Sequence, residues 1–293
     1  MSRIFKTKLG IGCLTLGVMV VVLVVWAFWI EPASITVRRV SLTVPKWHAE
    51  QRDMKIAVLT DLHVGAPHMG LGQLRRIVER TNAEAPELVL ITGDFVIGGP
   101  HNEGGVEAGV VGGTFIEPEP IAAALKNLRA PLGVFAVLGN HDWWYDGERI
   151  TRALEAVGIV VLENRAVRIE RGGRGFWLAG VADLWTRTPD IKGALAQVEG
   201  DDPVLLITHN PDIFPGVPPR VSLTIAGHTH GGQVNLPFVG RLIVPSKFGQ
   251  RYAMGQVVEQ GRHLFVSGGI GTSSIPVRFR VPPEIVILTL AEE

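Results

Sequence analysis

The sequence predicts a layered α/β domain, its sheets buried between helices, held behind a single apolar N-terminal helix. Three observations predict it. From Met54 onward, short β-branched apolar runs alternate with stretches of helical period. Asp, Asn and His residues follow directly on the ends of five of those runs. An uncharged stretch of membrane-spanning length stands near the N-terminus.

That stretch, LGIGCLTLGVMVVVLVVWAFWI from Leu9 to Ile30, would be about 33 Å long as a helix, against a bilayer core of roughly 30 Å. Arg3, Lys6 and Lys8 precede it. The positive-inside rule therefore predicts residues 1–30 as a cytoplasmic tip and transmembrane anchor, with the rest of the chain on the extracytoplasmic side of the cell membrane. Trp26 and Trp29 suit the far interface. A cleaved signal peptide fits less well, because its apolar region is shorter and ends in small residues. Lipid attachment at Cys13 fits poorly too, since the apolar region follows that cysteine instead of preceding it. Residues 31–53 read as a juxtamembrane segment, and residues 54–293 as one catalytic domain.

Within that domain, MKIAVLT reads as a strand, GLGQLRRIVERTNAEAP as a helix, ELVLIT as a strand, EPEPIAAALKNLRA as a helix and GVFAVLG as a third strand. GERITRALEAVG is again helical, with Arg149, Arg152 and Glu155 on its outer face. The glycine-rich stretch from Gly98 to Gly113 reads as a mobile loop. In the second half, AVRIERGGRGFWLAGV reads as a hairpin turning at Gly172 and Gly173. PVLLITH, SLTIAGH, QVVEQGRHLFVS and EIVILTL are further strands, with IKGALAQVEG as the one intervening helix. The expectation is a parallel first half and a more antiparallel second.

Composition narrows the partners. The 28 basic and 28 acidic residues cancel to a formal net charge of +0, so no broad field favours nucleic acid, and no nucleic-acid partner is expected. The 46% hydrophobic content supports a sizeable core, and nothing in the chain implies an obligate protein partner. One cysteine excludes an internal disulfide framework and any multi-thiolate zinc site.

The chemistry-bearing residues sit at strand ends. Asp61 and His63 follow IAVLT, Asp94 follows LVLIT, Asn140 and His141 follow FAVLG, His209 follows VLLIT, and His228 and His230 follow LTIAG. In open α/β sheets, loops at the carboxyl ends of strands present side chains to one crevice. A lone His or Asp there is usually a capped turn. Five of the nine histidines clustering at such ends is a different matter. The donor set is carboxylate, imidazole and one amide, which suits manganese, iron, zinc or another first-row divalent ion. A pair of such ions can clamp a phosphate and activate water. Two ions carry four positive charges and Asp61 with Asp94 return two, so a phosphate anion would be drawn in.

The blocks D-L-H (61–63), G-D (93–94), G-N-H-D (139–142), H-N (209–210) and G-H-T-H (227–230) resemble, in order, the signature of the calcineurin-like metallophosphoesterases. The segments GGQVNLP and GIGTSSIPVRFRVPPEI resemble the bacterial membrane-associated branch of that family. The resemblance implies a four-layer αββα sandwich, two mixed β-sheets flanked by helices. It implies two divalent metal ions, with Asp61, His63 and His230 on the first, Asn140, His209 and His228 on the second, and Asp94 bridging both. It implies that His141 is not a ligand but faces the leaving group as catalytic acid. One position departs: many relatives carry Asp or Asn where this chain has Ile97, so Asp142 or a backbone carbonyl must orient His141.

Around this set, Asn164 and Asp183 resemble positions near the active site of relatives, although turn formation explains them almost as well. Trp143, Trp144 and Tyr145 read as core more readily than as pocket. Arg278 and Arg280 alternate along IPVRFRVP as if on an extended strand, where they could grip a phosphate or headgroup or form a solvated edge. His48, His68, His101 and His263 read as surface or structural. The function expected is hydrolysis of a phosphate ester or pyrophosphate, the substrate being lipid-linked or an envelope intermediate because the anchor holds the domain at the bilayer. A soluble nucleotide or sugar phosphate is the chief alternative, and a non-enzymatic membrane-tethered scaffold the other.

Overall fold

The computed structural model of the chain describes residues 3–98 and 111–292. Most of the expected mobile loop, and His101 with it, lies outside these residues.

The N-terminal helix α1, Arg3–Val25, continues as a π-helical turn over Trp26–Ile30. Gly10–Ile30 is long and apolar enough to cross a membrane, and none of its most apolar window is buried by protein.

Two six-stranded sheets follow. The first contains β1 (Thr36–Val44), β2 (Lys55–Leu59), β3 (Leu88–Thr92), β4 (Val134–Val137), β5 (Val160–Val161) and β14 (Glu284–Glu292), in the order β1-β14-β2-β3-β4-β5. The second contains β6 (Arg165–Arg171), β7 (Arg174–Gly180), β8 (Val204–Ile207), β9 (Leu223–Ala226), β12 (Gly255–Glu259) and β13 (Arg262–Val266), in the order β12-β13-β9-β8-β7-β6. A small ribbon, β10 (Asn235–Leu236) with β11 (Gly240–Arg241), stands apart.

Side-chain alternation sorts the residues between layers. Along β2, Ile56 and Val58 face the second sheet while Ala57 and Leu59 face the helices. Along β8, Leu205 and Ile207 meet the first sheet while Val204 and Leu206 face outward. The outer layer on the first sheet is α2 (Leu71–Ala83), α3 (Pro118–Leu125) and α5 (Gly147–Glu155), with the short α4 (Asn140–Tyr145) leading from β4 into α5. Helix α2 shows why it packs there: Leu74, Ile77, Val78 and Thr81 lie three or four apart and are its buried face. The layer over the second sheet is thin, built from the five-residue α6 (Ile191–Leu195) and the 3₁₀ turns around Phe214 and Tyr252. The four-layer sandwich expected from the sequence is present.

Two expectations are corrected. The second half is not mainly antiparallel: β7–β8, β8–β9 and β9–β13 pair in parallel, and only the edge pairs β6–β7 and β12–β13 are antiparallel hairpins. Both faces of its central strands are covered, which is the setting of a parallel sheet. The domain boundary at 54 also cuts through the first sheet. Within the supposed juxtamembrane segment, β1 pairs in parallel with β14 from Thr36↔Glu284 to Val44↔Glu292. Leu42, Val44 and Trp47 are buried between the sheets.

A chain beginning at residue 31 should therefore give one cooperative thermal transition by circular dichroism. A chain beginning at 54 bares one edge of β14 and should aggregate or melt without a sharp transition. Equal melting of the two would contradict the assignment of β1 to the core.

Candidate metal centre

Every strand that the sequence marked delivers its polar residue to one buried crevice between the carboxyl ends of the two sheets. Asp61, His63, Asp94, Asn140, His209, His228 and His230 are all at most 4% exposed. Five of them, Asp61, His63, Asp94, His228 and His230, have positive φ, between 42° and 70°. Left-handed backbone at non-glycine residues costs about 1–3 kcal/mol each and gathers at functional sites. Here it bends the chain sharply after the strand, returning the side chain over the crevice.

The neighbouring glycines make room. A Cβ on Gly139 would stand 2.2 Å from Asp94 Oδ1, and one on Gly227 would stand 1.8 Å from Thr60 Oγ1. These are the glycines of the G-N-H-D and G-H-T-H blocks, so each block couples a ligand to the space it needs.

The candidate ligand atoms form overlapping groups around the crevice, Asp61 with His63 and His230, His63 with Asp94 and His141, and Asp94 with His209 and His228. His63 Nε2 lies 3.1 Å from His230 Nε2, and His230 Nε2 lies 3.6 Å from Asp61 Oδ1. His209 Nε2 lies 3.1 Å from both Asn140 Oδ1 and His228 Nδ1. Asp94 Oδ2 stands between, 3.4 Å from His63 Nε2 and 3.3 Å from His209 Nε2. His209 donates Nδ1–H to the Thr92 carbonyl at 2.7 Å, which leaves Nε2 as the acceptor nitrogen. Its lone pair thus faces two oxygens and another ring nitrogen. A proton or a metal cation must stand between such acceptors. His228 Nε2 and His230 Nδ1 have no hydrogen-bond partner among the described residues. An inward-facing set of oxygen and nitrogen donors, free of sulfur, fits first-row divalent ions.

Electrostatics carry the same message. Burial opposes protonation of His209, yet the adjoining Asp94, with Asp61 and Asp183, outweighs it and holds the ring's pKa up to about 10. Burial likewise works against ionisation of Asp94, but His209, His141 and His63 keep its carboxyl well below the usual range. Burial pushes Asp61 up to about 6 and, joined by repulsion from His141, drives His63 down to about 3. Without metal, the pocket stores a proton on His209 where a cation would otherwise sit.

His141 resolves the question posed by Ile97. Its Nδ1–H donates to the Ile97 carbonyl at 3.2 Å, so backbone does the work that an Asp side chain would do, and Nε2 is left available. Its backbone N–H donates to Asp94 Oδ1 at 2.9 Å. Its ring stands 4.6 Å from that of His63.

Asp142 does something else. Its carboxylate accepts the N–H groups of Asp94 (2.8 Å), Phe95 (2.8 Å), Val96 (3.3 Å) and Gly139 (2.9 Å). It pins the turns after β3 and β4 together. Burial and the charge of Asp94 push its carboxyl up to about 7, against the pull of those donors.

The remaining assignments divide. Asn164 is a turn residue: Oδ1 accepts from Ala182 and Asp190, and Nδ2 donates to Thr188. Asp183 Oδ2 accepts from the Trp185 and Thr186 backbone and from the Thr186 hydroxyl, which fixes the turn after β7. Arg278 is not on a solvated edge. It is fully buried in irregular backbone and donates to the carbonyls of Gly268, Gly271 and Val281. Burial lowers its pKa to about 10. Arg280 is exposed at φ 58°, so the two arginines do not share a strand face. Of the other histidines, His48 lies 3.5 Å from Asp202, His68 meets the Phe28 carbonyl at 2.9 Å, and His263 is buried on β13.

Trp144 is the clearest departure from core packing. It is 42% exposed and lies tilted 4.8 Å from His141, while Trp185, 49% exposed, stands edge-on 4.3 Å from His228. The two indoles are 6.4 Å apart at the mouth of the crevice. Sequence reasoning missed Trp185, although it singled out Asp183 two residues earlier in the same strand end, GVADLW. Trp143 and Tyr145 do pack inward, Trp143 beneath the Arg187 guanidinium at 4.2 Å.

Two outcomes follow. Asp142→Ala leaves several buried N–H groups without an acceptor and should lower stability by about 3 kcal/mol or more in urea unfolding; a change within experimental error would mean the pinning role is misassigned. Metal must displace the proton on His209, so calorimetric titration with manganese or zinc should show net proton release at neutral pH. Affinity should rise with pH until about pH 10, where His209 loses its proton and the competition ends. Proton-neutral binding would contradict the assigned charge state.

Comparison with known proteins gives the family. The Calcineurin-like phosphoesterase family matches residues 54–232. The chain is 30% identical over 239 residues to the metallophosphoesterase YkuE of Bacillus subtilis, covering 80% of this chain and 78% of YkuE. It is 31% identical over 244 residues to the phosphodiesterase YaeI of Escherichia coli, covering 80% of this chain and 82% of YaeI. A zebrafish transmembrane protein with a metallophosphoesterase domain is 27% identical over 267 residues; the match covers 86% of this chain and 56% of that protein. With the strand-end blocks in order and their side chains gathered in one crevice, the chain belongs to the calcineurin-like phosphoesterases, metal-dependent hydrolases of phosphoric esters built around a dinuclear metal centre.

Proposed function

We propose that this chain is a membrane-anchored phosphodiesterase acting on an amphipathic phosphate ester, a lipid or a lipid-linked envelope intermediate, on the extracytoplasmic face of the membrane. Residues up to Ile30 form the anchor, and the catalytic domain begins at β1. The supporting observation is the join between the two. The Arg278 N–H donates to the Ala27 carbonyl at 2.9 Å, His68 meets the Phe28 carbonyl at 2.9 Å, and the Val281 N–H donates to buried Glu31 at 2.7 Å. The loop that holds His68 starts at His63. The segment that holds Arg278 and Val281 starts at Gly268 and Gly269, beside Asp61. Anchor and crevice thus share two loops.

In this reading Asp61, His63 and His230 hold one divalent ion, Asn140, His209 and His228 hold the other, and Asp94 serves both. Manganese, iron and zinc suit the donors. When bound, the ions supply positive charge to the phosphate and lower the pKa of the attacking water. The protein's own residues do the rest. Asp94 is kept ionised by the surrounding imidazoles, and the neutral Asn140 leaves the centre net cationic toward an anionic ester. His141, held through Nδ1 by the Ile97 carbonyl, presents Nε2 to the crevice and in its imidazolium form gives a proton to the departing alkoxide. Trp144 and Trp185 flank the entrance and would receive the apolar part of the leaving group. Their flat faces equally favour a second reading, a nucleoside phosphate stacked between them.

The full chain with manganese should hydrolyse bis-p-nitrophenyl phosphate and lose that activity to a chelator. On a diester with an alkyl leaving group, His141→Gln should lower kcat about 100- to 10,000-fold with metal content unchanged, and much less on bis-p-nitrophenyl phosphate, whose phenolate leaves without a proton. A variant with wild-type kcat on the alkyl ester would remove the acid role from His141. Preference for a phospholipid diester in mixed micelles over a cyclic nucleotide supports the first reading; the reverse preference selects the second.

A further inference from the structure

The ribbon β10–β11 and its surroundings carry an apolar surface that the hydrolytic centre does not use. Phe238, Val239, Leu242, Ile243 and Ile275 are among the most exposed large apolar residues outside α1, with Phe238 fully bared and Ile243 78% exposed. The three-residue tip, Pro237 to Val239, forces Phe238 to a φ of 66°, which turns its ring away from the domain. No acidic residue occurs between His230 and Gln250, while Lys247 and Arg280 beside the ribbon are exposed. An apolar crest with a basic margin is the composition of a surface that enters a bilayer interface.

Its position gives the occupant. Asn235 N–H donates to the Phe279 carbonyl at 2.9 Å, and Phe279 N–H donates to Gln233 at 2.9 Å, so the ribbon's base lies beside the 275–280 segment. Gln233 also bonds the Ser273 and Ile275 carbonyls. That segment is bonded in turn to Ala27. Ala27 stands three residues before Ile30, the end of the apolar span Gly10–Ile30, and so about 4.5 Å inside it along the helix axis. The 275–280 segment therefore sits at the depth where the anchor is still apolar. One backbone spacing of roughly 5 Å separates it from the ribbon.

Resting on the anchor reading above, we propose that the β10–β11 ribbon, with Leu242, Ile243 and Ile275, inserts into the interfacial layer of the same bilayer that α1 spans, with Lys247 and Arg280 at the level of anionic headgroups. The ribbon begins five residues after His230, and Arg241 bonds the Gly231 carbonyl at 2.8 Å. Insertion thereby sets the crevice against the membrane surface, where an amphipathic ester presents its phosphate.

The test uses the full chain in nanodiscs of phosphatidylcholine and phosphatidylglycerol containing acyl-chain nitroxide lipid. A bimane label is placed at Phe238→Cys, Ile243→Cys or Lys192→Cys in a Cys13→Ser background, and at native Cys13 in the unsubstituted chain. Loss of emission is expected at 238, 243 and Cys13, with none at 192 on the far layer. Quenching at Cys13 without quenching at 238 and 243 overturns the insertion and leaves the anchor standing. No quenching at Cys13 removes the anchor, and this inference with it. A label at 238 that is shielded from water but unquenched, in particles that hold two chains, assigns the surface to a second copy and also overturns the proposal.

Discussion

The structure turns on an unbalanced cluster of acceptors. Around Asp94 Oδ2 the fold gathers imidazole nitrogens and oxygens to within about 3 to 4 Å of one another, and among the described residues no lysine or arginine side chain bonds to them. Arg278, the buried cation nearest in charge coupling to Asp61, spends its donors on backbone carbonyls. The cluster is held open by the rest of the molecule. Two sheets fix the strand ends, left-handed turns aim the ligands, glycines clear the space and Asp142 ties two of the turns together. Such an arrangement is tolerable only because a cation belongs in it.

The first sheet supplies both carboxylates, the amide and one histidine, while the second supplies His209, His228 and His230. Neither sheet alone makes a binding site. The interlayer core of Ile56, Val58, Leu205, Ile207 and their neighbours is therefore also what sets the spacing of the ligands. Dense packing resists small changes in volume, so a cavity opened between the sheets would be felt at the metal centre.

Much of this was legible in the sequence, and the reasons are local. Each ligand lies within a few residues of a strong apolar run, and the run's length and branching mark it as a strand. His141 and the seven candidate ligand residues all stand at strand ends in one buried crevice. What could not be read was whatever depends on distant partners. TVRRVSLTV looks like a polar connector after an anchor, because the strand that makes it part of a sheet lies about 250 residues downstream. Arg278 looks exposed because nothing beside it in sequence reveals the carbonyls that enclose it. The parallel pairing of β7, β8 and β9 was hidden by short connections that carry little helix. Ile97 looked like a defect, because a backbone carbonyl leaves no mark in a sequence.

The pairing of β1 with β14 has a consequence for how the protein comes into being. The strand made first among the fourteen must wait for the strand made last, and β14 is also the neighbour of β2, whose end bears Asp61. During synthesis the carboxylates emerge early, but the sheet that aligns them stays open until β14 has been made. The chain is thus a purse whose drawstring is β14. Removal of β14 would part β1 from β2, the strand whose end bears Asp61, so two distant stretches of sequence depend on one strand.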